Sequence, residues 1–206
     1  MLNKKAAMFG LDARIALAIF GALSVISGAA LYSAISSAQA EKWRQTFTEI
    51  VKATEQYYLD NGKTIPAFNS HFNPLYLNDL VANRESLSTW NGPYLSHNVE
   101  GSVGLSDALV KTLGSGATLG AYLRTGADWA EANDMNSDGL CTMNASDCYE
   151  WISIYGDSST NTEQLFTSLD NLVDNGDGEL KGDVRLVRYM NFYLMFKGIP
   201  HKRTLY

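Results

Sequence analysis

Ile15-Ala-Leu-Ala-Ile-Phe-Gly-Ala-Leu-Ser-Val-Ile-Ser-Gly-Ala-Ala-Leu-Tyr-Ser-Ala-Ile35 is a run of 21 residues without a charge. About 20 such residues carry a helix across a bilayer. Lys4 and Lys5 stand before the run, and no acidic residue precedes Asp12. The positive-inside rule therefore keeps that end in the cytoplasm and sends the rest of the chain outward. A buried core helix is the ordinary alternative, but 21 uncharged residues directly behind a lysine pair argue against it. A cleaved secretory signal is the rival. Ser37-Ala38-Gln39-Ala40 ends in a small-x-small pattern, and a cut there frees a soluble protein beginning at Glu41. The run is longer than the ~7–15 apolar residues of an ordinary signal.

Beyond Ile35 the helical pattern continues. Trp43, Phe47, Ile50, Thr54 and Tyr57 recur at steps of four and three, and Val51 and Tyr58 widen that stripe. Glu41, Lys42, Arg44, Gln45, Glu49, Lys52 and Glu55 take the other faces, and Asn61-Gly62 supplies a stop. No proline occurs before Pro66. The pattern predicts one helix of about fifty residues, roughly 75 Å long, apolar all round in its first half and along one face in its second. A signal peptide has no reason to be in helical phase with a mature domain, so the continuity favours a retained anchor.

The whole chain has 206 residues, a net charge of −6, 46% apolar and 18% charged residues. These averages exclude a disordered, collagen-like or polytopic membrane protein and suit one ordinary domain. A sequence pI near 5.0 argues against a nucleic-acid partner, which calls for a basic face. The charge is unevenly placed. Lys4, Lys5 and Arg14 against Asp12 leave residues 1–37 at +2, so residues 38–206 carry −8.

Met1-Leu-Asn-Lys-Lys-Ala-Ala-Met-Phe-Gly10 is a short basic leader ending in glycine, followed by an apolar and then an amphipathic stretch. In this the chain resembles the type IV pilin and pseudopilin family. The resemblance implies removal of residues 1–10 by a prepilin peptidase that cuts after Gly10, and methylation of the new N-terminus at Leu11. It implies a transmembrane and assembly helix over residues 11–36, its amphipathic continuation over 37–62, and an exported domain over 63–206. The implied partners are inner-membrane lipid, copies of the same chain and other pilin-like subunits. The family usually carries Glu where this chain has Ile15, and there it offsets the amine of a neighbouring subunit during assembly. Asp12 and Arg14 are the nearby charges here. Asp12 either takes over that pairing, since an unpaired charge at the membrane edge is costly, or lies with Arg14 among lipid headgroups. Gly21, Ser24 and Gly28 set small residues on neighbouring faces, and Ser24-x-x-x-Gly28 permits close helix approach.

After Gly62 the long period is lost. Leu75, Leu77, Leu80 and Val81 predict a short helix, and Thr89-Trp-Asn-Gly-Pro-Tyr-Leu95 a turn anchored by Trp90 and Tyr94. Strands are expected over 117–124, 149–155, 184–189 and 192–199, with Met190-Asn191 as a tight connection. In 184–189 one face holds Val184, Leu186 and Arg188, the other Arg185, Val187 and Tyr189. Leu165, Phe166, Leu169, Leu172 and Val173 follow a helical period, with Thr160-x-x-Glu163 as a capping box. The expected fold class is α+β: a long N-terminal helix packed on a small antiparallel sheet that a second helix interrupts. The acidic, glycine-rich segment Leu169–Asp183 also resembles one in prepilin-type proteins, where a short helix leads through such a turn into a strand.

Asp134-Met-Asn-Ser-Asp-Gly139 matches the opening of a calcium loop, with oxygen ligands Asp134, Asn136 and Asp138 ahead of a turn glycine. The twelfth position is Ala145, not Glu, so the pattern stops short of an EF-hand and leaves a lone Ca2+ or a solvated turn. Asp174, Asp177 and Glu179 form a second acidic cluster. Cys141 and Cys148 fall in the exported part, where thiols oxidise, and no His or third Cys is close in sequence to make them a metal pair. Asn144-Ala-Ser146 is formally a glycosylation sequon. No nucleophile elbow, zincin, phosphate-loop or dinucleotide pattern occurs, and His71, His97 and His201 are scattered, so the expectation is a non-enzyme without an organic cofactor. Two functions remain. One is a structural subunit of a type IV pilus or a type II secretion-like pseudopilus, held in the bacterial inner membrane and then in the filament. The other is a soluble periplasmic binding module released after Ala40 and held by a disulfide and Ca2+.

Overall fold

The structure, a computed structural model, describes residues 3–67, 74–96, 98–99, 110–111, 118–130, 139–141, 147–156, 159–189 and 191–201. It divides into two compact units, Met1–Gln39 and Ala40–Tyr206. The first unit consists, among the described residues, of the opening part of helix α1, Asn3–Asn61. The helix starts within the expected leader rather than after it. From Asp12 to Ile35 every side chain is exposed, and Leu17, Phe20 and Val25 are 76%, 72% and 74% open. An apolar surface on all faces is a poor match for water. The helix is long and apolar enough to cross a membrane.

The second unit takes in α1 from Ala40 onward. The predicted stripe faces its core: Phe47, Ile50, Thr54 and Tyr57 are buried, and Trp43, Val51 and Tyr58 are half-buried. Ala40 and Ala53 complete the buried face. α1 ends where the sequence says it should. Gly62 has φ +68°, its N–H donates to the Tyr58 carbonyl at 2.8 Å, and the Asn61 amide donates to the Tyr57 carbonyl at 2.9 Å.

Among the described residues one antiparallel sheet packs with this part of α1. Its strands are β1 (Asn98–Val99), β2 (Val110–Lys111), β3 (Thr118–Thr125), β4 (Cys148–Gly156), β5 (Val184–Tyr189) and β6 (Asn191–Pro200), in the order β1-β2-β3-β4-β6-β5. The four longer strands are the four expected ones; Asn191, expected in the connection, instead opens β6 and pairs with Tyr189, and residues 117 and 190 lie outside the described residues. Helix α2, Ser159–Val173, sits in sequence between β4 and β5. It begins one residue before Thr160, so Thr160 lies in its first turn and is not the cap. Glu163 accepts a hydrogen bond from Arg188 at 3.3 Å. The expected short helix is a 3-10 turn over Leu77–Leu80.

The pleat sorts residues onto two faces, as period-two alternation dictates. Leu119, Leu123, Ile152, Ile154, Val184, Leu186 and Leu194 join the α1 stripe and Phe166 and Leu169 of α2 in the main core. Phe47 stacks on Phe196 with centroids 5.0 Å apart. Each such side chain contributes about 1.5–3 kcal/mol on burial. The other face is also covered: Tyr122, Trp151, Val187 and Met195 pack with Trp129, from the loop after β3, and with Leu180. Arg185 fills this second layer, its guanidinium 4.6 Å from both the Trp129 and Trp151 ring centres. It donates to the carbonyls of Ala127 at 2.8 Å and Gly126 at 3.1 Å.

One irregularity positions a polar group. The β4–β6 register shifts between Tyr149 and Trp151, where β6 carries one residue more than β4. Such a bulge re-aims a side chain. Gly198 lies opposite: a Cβ there would stand 2.7 Å from the Glu150 carbonyl oxygen, a contact only glycine avoids.

Candidate functional site

The N-terminal residues singled out by the sequence all lie on α1. Gly10 and Leu11 are helical. Nothing lies near a Cβ built at Gly10, Gly21 or Gly28. At 100° per residue Gly21, Ser24 and Gly28 fall within about 60° of arc, a narrow small-residue stripe. The Ser24 hydroxyl donates to the Phe20 carbonyl at 2.8 Å, so its hydrogen bond is met within the helix. Asp12 and Arg14 are two residues apart and do not face each other. Among the described residues Asp12 has no ion-pair partner.

Cys141 and Cys148 form a disulfide, and both are buried in the main core. The bridge ties the start of β4 to Leu140, which pairs with Arg124 of β3. Asp134, Asn136, Asp138, His71, His97 and the Asn144 sequon lie outside the described residues. Gly139, the turn glycine of the calcium-loop pattern, has φ +61°, and a Cβ on it would run into the Trp129 ring.

The second acidic cluster has a different membership from the one the sequence offers. Glu179 is held by Arg188, whose guanidinium donates to both its oxygens, and this keeps the Glu179 carboxyl below the usual range. Asp170, from the last turns of α2, joins Asp174 and Asp177 instead, with a carboxylate oxygen of each within 4.8 Å of the others. Burial, and then nearby acidic groups, push Asp170 and Asp174 upward against the backbone N–H groups that bond them. The spacing of Asp170 and Asp174, one helical turn, was visible in the sequence. Convergence with Asp177 depends on the turn through Asn175 and Gly176, both at positive φ.

His201, scattered and partnerless by sequence, is tied into the domain. Its Nδ1 lies 3.1 Å from Glu150 Oε1, its Nε2 3.3 Å from Thr64 Oγ1, and its backbone N–H donates to the Cys148 carbonyl at 2.8 Å. Glu150 is fully buried. Desolvation pushes its carboxyl upward, and the His201 ring opposes that shift. Hydroxyl, imidazole and carboxylate in that order are the groups of a nucleophilic triad. Here Thr64 is 6% exposed and Glu150 0%, which leaves a substrate no approach to the hydroxyl. The set instead fastens the end of β6 to β4 and to the segment after α1. No local sequence signal marks partners 137 and 51 residues apart.

No protein family, curated protein or solved structure matches the chain.

Proposed function

We propose that the chain is a structural subunit of a pilin-like filament, inserted in the inner membrane through residues 11–36, cut after Gly10 and assembled through its N-terminal helix. The observation that carries this reading is the unbroken course of α1, fully exposed and apolar as far as Ile35, then buried along one face from Ala40. An all-round apolar helix needs lipid or the helices of other copies. The stripe of Gly21, Ser24 and Gly28 suits close helix packing, and the α+β domain from Ala40 supplies the exported surface. The role is structural, with lipid, the prepilin peptidase, like subunits and further copies as partners.

The rival cut after Ala40 gains from the unit boundary falling at Gln39–Ala40. Against it, residues 37–41 are helical and Ala40 is 1% exposed, whereas a peptidase needs an accessible strand of backbone. N-terminal sequencing of the mature protein decides. Leu11, N-methylated, is the expected result. Glu41 at the N-terminus overturns the filament reading, and so does a retained Met1.

A further inference from the structure

We propose that Asp170, Asp174 and Asp177 bind one calcium ion, which joins the C-terminal end of α2 to the turn that enters β5. Their three oxygens lie within 4.8 Å of one another. Opposite ligands of a calcium ion at 2.3–2.6 Å are separated by ~4.6–5.2 Å, so the set fits around one ion.

Convergence of acidic groups is not enough, and the second observation is Asp170 itself. It is 5% exposed, its Oδ2 accepts the Gly178 N–H at 3.3 Å, and its Oδ1 has no hydrogen-bond partner among the described residues. A buried carboxylate oxygen without a partner has lost its water and gained nothing in return. No lysine or arginine among the described residues forms an ion pair with any of the three. A cation between them satisfies the orphaned oxygen and removes the mutual repulsion together.

The scaffold is already built. Asp174 Oδ2 accepts the N–H groups of Asp183 at 3.0 Å and Val184 at 2.7 Å, which fixes that carboxylate. At Gly182 a Cβ would stand 2.7 Å from Asp174 Oδ2 and 2.9 Å from Asp177 Oδ2, so glycine leaves room beside both oxygens. The donor set is oxygen only, which selects a hard cation over zinc. Asp177 is exposed, so water reaches the open side to complete six to eight ligands.

The test uses the full-length chain in detergent micelles, stripped with EDTA and titrated calorimetrically with CaCl2 alone. The expected result is saturable binding and a rise in Tm at about 1 mM CaCl2. Asp177→Asn changes an exposed group and leaves the core intact. It is expected to weaken calcium binding by about tenfold or more, as is Asp170→Asn, while Asp134→Asn keeps the wild-type affinity. Two outcomes overturn the proposal. One is wild-type protein with neither binding heat nor a Tm change in CaCl2. The other is binding that Asp177→Asn and Asp170→Asn leave unchanged, which locates the ion elsewhere.

Discussion

The carboxylate of Glu150 meets the imidazole of His201 at 3.1 Å inside the domain, on the bulge where β4 and β6 lose register. Burial raises the Glu150 carboxyl above its ordinary 4.5. The folded chain therefore keeps a proton that the unfolded chain releases. The stability from this group is full below about pH 4.5 and is lost as pH rises through the folded value. Glu150→Gln removes the titration and keeps an acceptor for His201. Its Tm is expected to match the wild type near pH 4 and to exceed it progressively toward pH 8, by about 2–4 °C for each kcal/mol gained. Thermal melts across that range check this; a constant difference at every pH contradicts it.

Removing the other partner acts in the opposite sense. His201→Ala strands Glu150 in the core without its imidazole and leaves Thr64 Oγ1 short of a contact. Removing one partner of a buried hydrogen bond costs about 1–3 kcal/mol. Urea unfolding of His201→Ala at pH 7 is expected to show a loss of that size. A double-mutant cycle with Glu150→Gln should show the two changes to be non-additive, because the side chains are in direct contact.

Arg185 is expected to tolerate no cation in its place. Its guanidinium lies between two indoles and donates to three carbonyls, those of Gly182, Ala127 and Gly126. Lysine keeps the charge but lacks the planar fork that stacks and bonds at once. Arg185→Lys should cost about 3 kcal/mol in urea unfolding and shift the emission of Trp129 and Trp151 toward that of a wetter site. An unchanged midpoint refutes this view of the second layer.

Much of the framework was legible because its signals are local. β5 carries Val184 and Leu186 to one face and Arg185 and Val187 to the other, a period that one strand displays by itself. The end of α1 needs only Asn61 and Gly62. What stayed hidden depends on distant parts meeting. Trp129, Trp151 and Arg185 come from a loop and two non-adjacent strands, and no local pattern joins them. Glu163 fits a capping box in sequence, yet Arg188, 25 residues on, takes its carboxylate. Glu179 likewise leaves the acidic cluster for Arg188, and Asp170 enters from a helix face that the apolar period had made unremarkable.

The disulfide should act chiefly on the unfolded chain. Cys141 and Cys148 close a loop of eight residues, and its closure entropy is worth about 2.5 kcal/mol. Replacing both by serine also puts two hydroxyls into the main core, where the sulfurs are 4% and 5% exposed by residue. The double serine variant should therefore lose about 2.5 kcal/mol or more, and the double alanine variant nearer 2.5. Equal stability of reduced and oxidised wild-type protein, compared by urea midpoint, contradicts both values.

Asp12 carries the most specific expectation for assembly. Under the proposed cut after Gly10, Asp12 would lie in the first turn of the helix beside a free amine. There the helix dipole already favours a carboxylate by about 0.3–1 kcal/mol. Arg14 sits two positions away on another side, and no described residue pairs with Asp12, so the carboxylate is free for the amine of a neighbouring copy. Asp12→Ala is expected to leave membrane insertion and cleavage after Gly10 intact while lowering sheared filament yield by about tenfold, equivalent to a lost contact of ~1.4 kcal/mol. Asp12→Glu keeps the charge and should restore most of that yield. Asp12→Asn keeps the size without the charge and should behave as alanine does. Wild-type filament yield in Asp12→Ala would assign Asp12 and Arg14 to the headgroup region and leave the amine to another partner.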